Sequence, residues 1–227
     1  MTDVVLLHGT TQTAAGFDRL AAELRARGHR PLTVTVPEGT ARTAAGIADA
    51  MTAGLPADLL RPVVAAHSGS GVLLPELAAR LDARHQVWIA AAVADHAGRR
   101  SLLEEIRADP TAVFRPEWIG TDPTSDPVLA TYFLFHDADL ATLREVLSTV
   151  HRCDLSDVFA EVPRIDPAAR PSTYIRPAGD RSLDAGWMER VAHDRLGVEP
   201  TVLDGGHNLY VAHPAAVADV VDRAARR

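Results

Sequence analysis

The sequence predicts an open, doubly wound α/β fold: a mostly parallel, six-stranded sheet with an inserted helical cap. Three observations carry this. Short apolar runs alternate with amphipathic stretches along the chain, the rhythm that builds βαβ units. The strongest runs, VVLL at 4–7 and VWIAAAVA at 87–94, are apolar throughout, as strands covered on both faces of a parallel sheet are. The rhythm breaks between about Gly98 and Pro171, a stretch with several prolines, no strong strand and most of the large aromatics.

Taken in order, Val4–Leu7 is a strand ended by His8-Gly9. Thr13–Arg27 has helical spacing, with Phe17, Leu20, Ala21 and Leu24 on one face and Gly28 as a stop. Pro31–Val36 reads as a second strand, closed by Pro37 and Gly39, and Thr40–Met51 as a weaker, alanine-rich helix. Pro62–Ala66 is the third strand and Gly71–Leu81 the helix after it. Gln86–Ala94 is the fourth strand. Helical patterns recur at Ser101–Ala108 and Ala138–Val150. Ser172–Pro177 and Pro200–Leu203 are weaker strands, separated by a helix near Leu183–Leu196, and a last helix follows Pro214. The core is thus expected over residues 1–97 and 171–227, and the cap over 98–170. A loop of that length inside a compact domain is uncommon without a function.

Composition narrows the chemistry. The chain has 227 residues, 47% hydrophobic and 23% charged, which are ordinary globular values. All 23 basic residues are arginine. Without lysine there is no Schiff-base or P-loop lysine chemistry. The net charge of -7 argues against a nucleic-acid partner. One cysteine, Cys153, excludes an internal disulfide, and no H-E-x-x-H spacing suggests a metal. MTDVVLLHG lacks the basic and cleavable regions of a signal peptide, and no apolar run is long enough for a bilayer. The expectation is a cytoplasmic protein without cofactor or membrane partner. A small-molecule substrate is the expected partner, with a homodimer left open.

The informative segment is VVAAHSGSG at 63–71. A strand runs directly into a helix through a serine between small residues. At such a strained turn, side chains two residues either side of the serine collide unless they are small. Around Ser68 these are Ala66 and Ser70. Around Ser70 one of them would be the β-branched Val72, so Ser68 is the candidate nucleophile. A phosphate-binding turn is the rival reading, but no G-x-x-x-x-G-K-[ST] or G-x-G-x-x-G string occurs. A serine hydroxyl needs a base to take its proton. His207, in DGGHN after the last strand, and Asp180, in AGDR after the fifth, follow in the order Ser, Asp, His. All three then lie at carboxyl ends of strands, where open α/β sheets build their sites. Asp95, at the end of the fourth apolar run, is the alternative acid.

Together VVLLHGTTQTAAGFDRLAAELRARGH, VVAAHSGSG, RPAGDRS and LDGGHNLYVAHP resemble, in order, the oxyanion strand, nucleophile elbow, acid turn and histidine loop of the α/β hydrolase superfamily. The resemblance covers nearly the whole chain. The short N-terminus and YFLFHDAD are similar to the branch holding plant methylesterases, hydroxynitrile lyases and some bacterial esterases. Two positions depart from the pattern: Ser70, where the family usually has glycine, and Asp95, where members often carry proline. The resemblance implies an oxyanion hole from the Thr10 and Gly69 backbone N–H groups. It also implies a serine hydrolase acting on a small or medium apolar carboxylic ester or lactone. A non-hydrolytic lyase, cyclase or isomerase and a binding protein on the same scaffold are the alternatives. The lyases carry a lysine just after the histidine, and here that place is Asn208. Thr11, His96, Trp118, Tyr132 and Phe135 are the candidate pocket residues. His8 and His67 are read as structural, His136-Asp137 as a surface pair of the cap, and His213 as shaping the last turn.

Overall fold

The computed structural model describes residues 1–37 and 43–227. Six strands form one sheet: β1 (Asp3–Leu7), β2 (Arg30–Val34), β3 (Val63–His67), β4 (His85–Ile89), β5 (Ser172–Pro177) and β6 (Thr201–Leu203). Their order is β2-β1-β3-β4-β5-β6, and every neighbouring pair is parallel. The helices are α1 (Asp18–Ala26), α2 (Ala44–Ala53), α3 (Leu74–Arg80), α4 (Leu102–Ala108), α5 (Pro110–Val113), α6 (Pro127–Leu134), α7 (Leu140–Val146), α8 (Ser156–Phe159), α9 (Ala185–Leu196), α10 (Leu209–Ala212) and α11 (Pro214–Ala225). None of the described helices is long and apolar enough to cross a membrane. The predicted turn at Gly39 and helix start at Thr40 lie outside the described residues.

The sheet sits between two apolar layers because the strand side chains alternate. Val4, Leu6, Val63, Ala65, Val87, Ile89 and Ile175 face a layer that includes Leu20 and Leu24 of α1 and Val217 and Val221 of α11. Val5, Leu7, Val64, Ala66, Trp88 and Tyr174 face Ile47 of α2, Leu77 of α3 and Val191 of α9. The two polar atoms buried with the aromatics are satisfied. Trp88 Nε1 donates to Ser172 Oγ at 3.2 Å and Tyr174 OH to the Ala91 carbonyl at 2.8 Å. Residues 98–170 contribute helices α4 to α8 and none of the six strands. Ser101 and Glu104 form a reciprocal capping box that starts α4. Asp184 caps α9 at the Trp187 N–H, and Gly197 ends that helix in the left-handed region.

Two elements start later than their apolar patterns. A 3₁₀ turn over 14–17 precedes α1, and another over 68–73 precedes α3. The fourth strand also ends at Ile89 and not at Ala94. Ala90 takes φ 44, which turns the chain out of the ladder. The Ala92 N–H then bonds the Ser68 carbonyl at 2.9 Å. Residues 90–93 stay buried, so they keep an apolar composition without being strand. They also lie against the helix start after β3, where a Cβ on Gly71 would stand 2.1 Å from the Ala92 carbonyl oxygen. That neighbour is backbone and cannot rotate away. Gly71→Ala should therefore destabilise the fold by about 3 kcal/mol, read from urea unfolding; an unchanged midpoint would refute this packing.

Candidate active site

Parallel pairing puts the carboxyl ends of β1, β3, β4, β5 and β6 along one rim, and the polar residues singled out in the sequence gather there. β3 delivers Ser68 directly from its last residue. Ser68 has φ 55, a left-handed conformation that costs a non-glycine residue about 1–2 kcal/mol. The turn holds it through the Ala92 N–H on its carbonyl. Ser70 is fully buried beneath, and its hydroxyl has no hydrogen-bond partner among the described residues.

His207 follows β6 on the loop 204–208, and Asp180 follows β5. His207 Nε2 is 2.8 Å from Ser68 Oγ and Nδ1 is 2.8 Å from Asp180 Oδ2. The His207 and Asp180 side chains are each 1% exposed. Asp180 Oδ1 accepts the backbone N–H groups of Ser182 at 2.7 Å and Leu183 at 3.0 Å. These donors hold the carboxylate in its acceptor form, so Nδ1 carries the imidazole proton and Nε2 is left to accept from the serine hydroxyl. The structure thus joins Ser68, His207 and Asp180 in one hydrogen-bonded chain. Asp95, the alternative acid, lies elsewhere. Its Oδ1 accepts the Gly98 N–H at 2.7 Å in the turn that bridges Asp95 to Arg100.

Beside the serine is a cavity of about 160 Å³. Thr10, Ser68, Gly69, Ser182 and His207 supply its polar lining, and the rest is apolar. The Thr10 side chain packs on Gly69, where a Cβ would meet Thr10 Cγ2 at 2.9 Å and Phe159 Cζ at 2.9 Å. Of the pocket candidates, Trp118 lines the cavity, with its ring 6.2 Å from the His207 ring. The other four pocket candidates lie off it. Phe135 is 1% exposed and belongs to the apolar layer under α11. Tyr132 is turned outward, 46% exposed, with Arg181 4.5 Å over its ring. Thr11 is buried in the loop after β1, its carbonyl accepting from the His151 N–H. His96 lines a separate groove with Arg99 and Glu161. Phe114, Phe159, Ile106 and Trp187 line the cavity instead. The aromatic content of 98–170 signals the first two. Nothing in the sequence distinguishes Trp187, which comes from α9, from an ordinary core tryptophan.

Behind His207 lies a buried polar set. The Asn208 amide donates to Gln12 Oε1 at 2.6 Å and to Tyr210 OH at 3.2 Å. Tyr210 OH in turn donates to Gln12 Oε1. His67 Nε2–H donates to the His207 carbonyl at 3.1 Å. Burial pushes the His67 imidazole well below its usual range, and His207 nearby adds to this, so His67 is neutral. His8 is lowered too, by burial first. It donates from Nδ1 to the Gly9 carbonyl and accepts the Val36 N–H on Nε2. Both are therefore structural in this geometry. Among the described residues, no cluster of three His, Cys, Asp or Glu side chains is placed to hold a metal ion.

An all-parallel sheet whose third strand delivers a strained serine to a histidine and a carboxylate on later loops is α/β hydrolase architecture. The chain matches the model of the alpha/beta hydrolase family over residues 4–220 and belongs to that family. Similar solved structures include polyneuridine aldehyde esterase, with 14% identity, 98% of each chain covered and a TM-score of 0.81. The methylesterase MES16 from Arabidopsis shares 14% identity over 99% of this chain and 98% of its own, with a TM-score of 0.74. The N-acyl homoserine lactonase AidH shares 16% over 98% and 87%, with a TM-score of 0.69. At these identities the likeness is one of fold. No curated protein matches the sequence.

Buried imidazoles give the fold an acid limit. His8 and His67 are lowered, and burial takes His85 to about 4. An unfolded histidine titrates near 6.5. Below that pH the unfolded chain binds more protons than the folded one, so stability is full above pH 6.5 and falls as pH drops toward 4. The urea midpoint should be lower at pH 4.5 than at pH 7.5, and His85→Gln should reduce the difference. Equal midpoints for the wild type would contradict the neutral, buried state of these rings.

Proposed function

We propose that this protein is a serine hydrolase that cleaves a small or medium apolar carboxylic ester or lactone through an acyl-enzyme. The observation that carries this reading is the Ser68–His207–Asp180 hydrogen-bond chain opening onto an apolar cavity. His207 takes the Ser68 proton as Oγ attacks the ester carbonyl carbon. Asp180 keeps the proton of Nδ1 in place and stabilises the imidazolium. The tetrahedral oxyanion is received by the N–H groups of Thr10 and Gly69, each donor contributing about 3–4 kcal/mol. The imidazolium then protonates the leaving alkoxide. In the second half-reaction His207 deprotonates a water, which attacks the acyl carbon and frees Ser68 and the carboxylic acid. A lactone gives one hydroxy acid instead of two products.

Residues 98–170 act here as a cap, giving Phe114, Trp118 and Phe159 to the substrate pocket. An apolar cavity near 150 Å³ holds a benzene molecule, so the group seated beside Ser68 is about that size. An esterase and a lactonase among the similar folds fit this reading. The tethering of Asn208 to Gln12 and Tyr210 supports it over a lyase, which needs a cation in that place.

A fluorophosphonate should add to Ser68 in the wild type and not in Ser68→Ala. Turnover of p-nitrophenyl acetate should fall at least about ten-thousand-fold in Ser68→Ala and about as far in Asp180→Asn. Asp95→Asn should stay close to wild type. Absence of both labelling and turnover would favour a binding protein, and labelling without hydrolysis a lyase, cyclase or isomerase. Loss in Asp95→Asn with retention in Asp180→Asn would reassign the acid. For so compact a pocket, p-nitrophenyl butyrate should be cleaved at least about tenfold faster than the dodecanoate, since overfilling a packed site costs about 1–3 kcal/mol.

A further inference from the structure

The HD pair of YFLFHDAD lies against the histidine loop, and we propose that Asp137 is a positioning residue for His207. This rests on the reading of His207 as the base of the reaction. The last residue of α6 and the turn after it hold the amides on both sides of that histidine. The Leu134 carbonyl accepts the Asn208 N–H at 3.3 Å. Asp137 Oδ2 accepts the Gly206 N–H at 2.8 Å. The carbonyl of His207 itself is held by His67. One short piece of the 98–170 segment therefore fixes the backbone before and after the ring that must meet Ser68 and Asp180.

The loop is shaped to receive the pair. A Cβ on Gly206 would stand 2.6 Å from His136 Cε1 and 3.0 Å from Asp137 Oδ1. One on Gly205, at φ 128, would stand 2.9 Å from Asp137 Oδ2. Two consecutive glycines admit the side chains, but they also leave the turn without stiffness of its own. The carboxylate on Gly206 supplies that stiffness from outside.

Stability alone does not account for the pair. Asp137 Oδ1 and His136 Nδ1 are buried with no hydrogen-bond partner among the described residues, and a buried unpaired polar atom costs about 1–3 kcal/mol. His213 also faces Asp137, its Nε2 3.3 Å from Oδ2. Asp180 and Arg181 face His136. What the arrangement secures is the place of His207, and displacing a catalytic group by about 1 Å costs on the order of a hundredfold in rate.

The test uses p-nitrophenyl acetate and the low-field proton resonance of His207 Nδ1–H, which reports the bond to Asp180 without any turnover. Asp137→Ala should lower kcat about tenfold to a hundredfold with a smaller change in KM, and should shift or broaden the resonance. Asp137→Asn keeps an oxygen for the Gly206 N–H and should restore both. Gly206→Ala, which expels the pair from the other side, should behave like Asp137→Ala and serves if that variant does not fold. Wild-type kcat and resonance in Asp137→Ala would overturn the proposal. So would an Asn variant as impaired as the Ala variant. If the wild type neither turns over ester nor takes the fluorophosphonate, the hydrolase reading fails, and the resonance comparison alone decides the role of Asp137.

Discussion

The left-handed backbone of Ser68 is the constraint around which this structure is arranged. A serine at φ 55 persists only where its surroundings leave it no alternative. The first of these is the ladder of β3, buried along its whole length. The second is the Ala92 N–H on the Ser68 carbonyl. The third is the contact between Gly71 and the Ala92 backbone. Those requirements reach well beyond the turn. They end β4 at Ile89 and make Ala90 turn at positive φ. The apolar residues after it lie beneath the elbow, not in the sheet. The strain lifts the hydroxyl above the rim, where loops from β5 and β6 can reach it.

How far this was legible in the sequence differs by kind of signal. Strands buried on both faces leave an unbroken apolar record, so β1, β3 and β4 could be found from Val4, Val63 and Val87 onward. The same record misplaces the end of β4, because Ala90 to Val93 are as buried as the strand although the chain has turned out of the ladder and Ala92 bonds to the elbow. Burial is written in composition, whereas backbone direction is not. In the site, Ser68 and His207 were legible because strained turns demand small neighbours, and glycines stand beside both residues. The sequence puts Asp180 first and Asp95 second, but the surroundings of each carboxylate are visible only in the fold. Each follows an apolar run, and only the three-dimensional path shows one carboxylate on His207 Nδ1 and the other on the Gly98 N–H.

The pocket was the least legible part. Sequence places aromatics in the right segment but cannot say which way they face. Phe135 turns into the apolar layer and Tyr132 out under Arg181, while Phe114 and Phe159, from the same stretch, line the cavity. A helix or loop with apolar residues on more than one side carries no mark of which side meets a void. Trp187 makes the same point from the core, since it packs in an apolar layer and also lines the cavity.

The loop after β1 adds a mechanical consequence. Its backbone is stitched to residues 149–153: Cys153 N–H to the Thr10 carbonyl at 2.8 Å, His151 N–H to the Thr11 carbonyl at 3.1 Å and Thr13 N–H to the Thr149 carbonyl at 2.9 Å. Those bonds fasten the far part of the 98–170 segment to the core beside Ser68, and Gln12 Nε2 adds a fourth to Thr149 Oγ1 at 2.8 Å. Such a segment cannot swing away as a rigid flap without breaking this seam. Rotation of Trp118 or Phe159, both in the cavity wall, would break none of these four bonds. Side-chain rotation is also faster and smaller in amplitude than hinge opening.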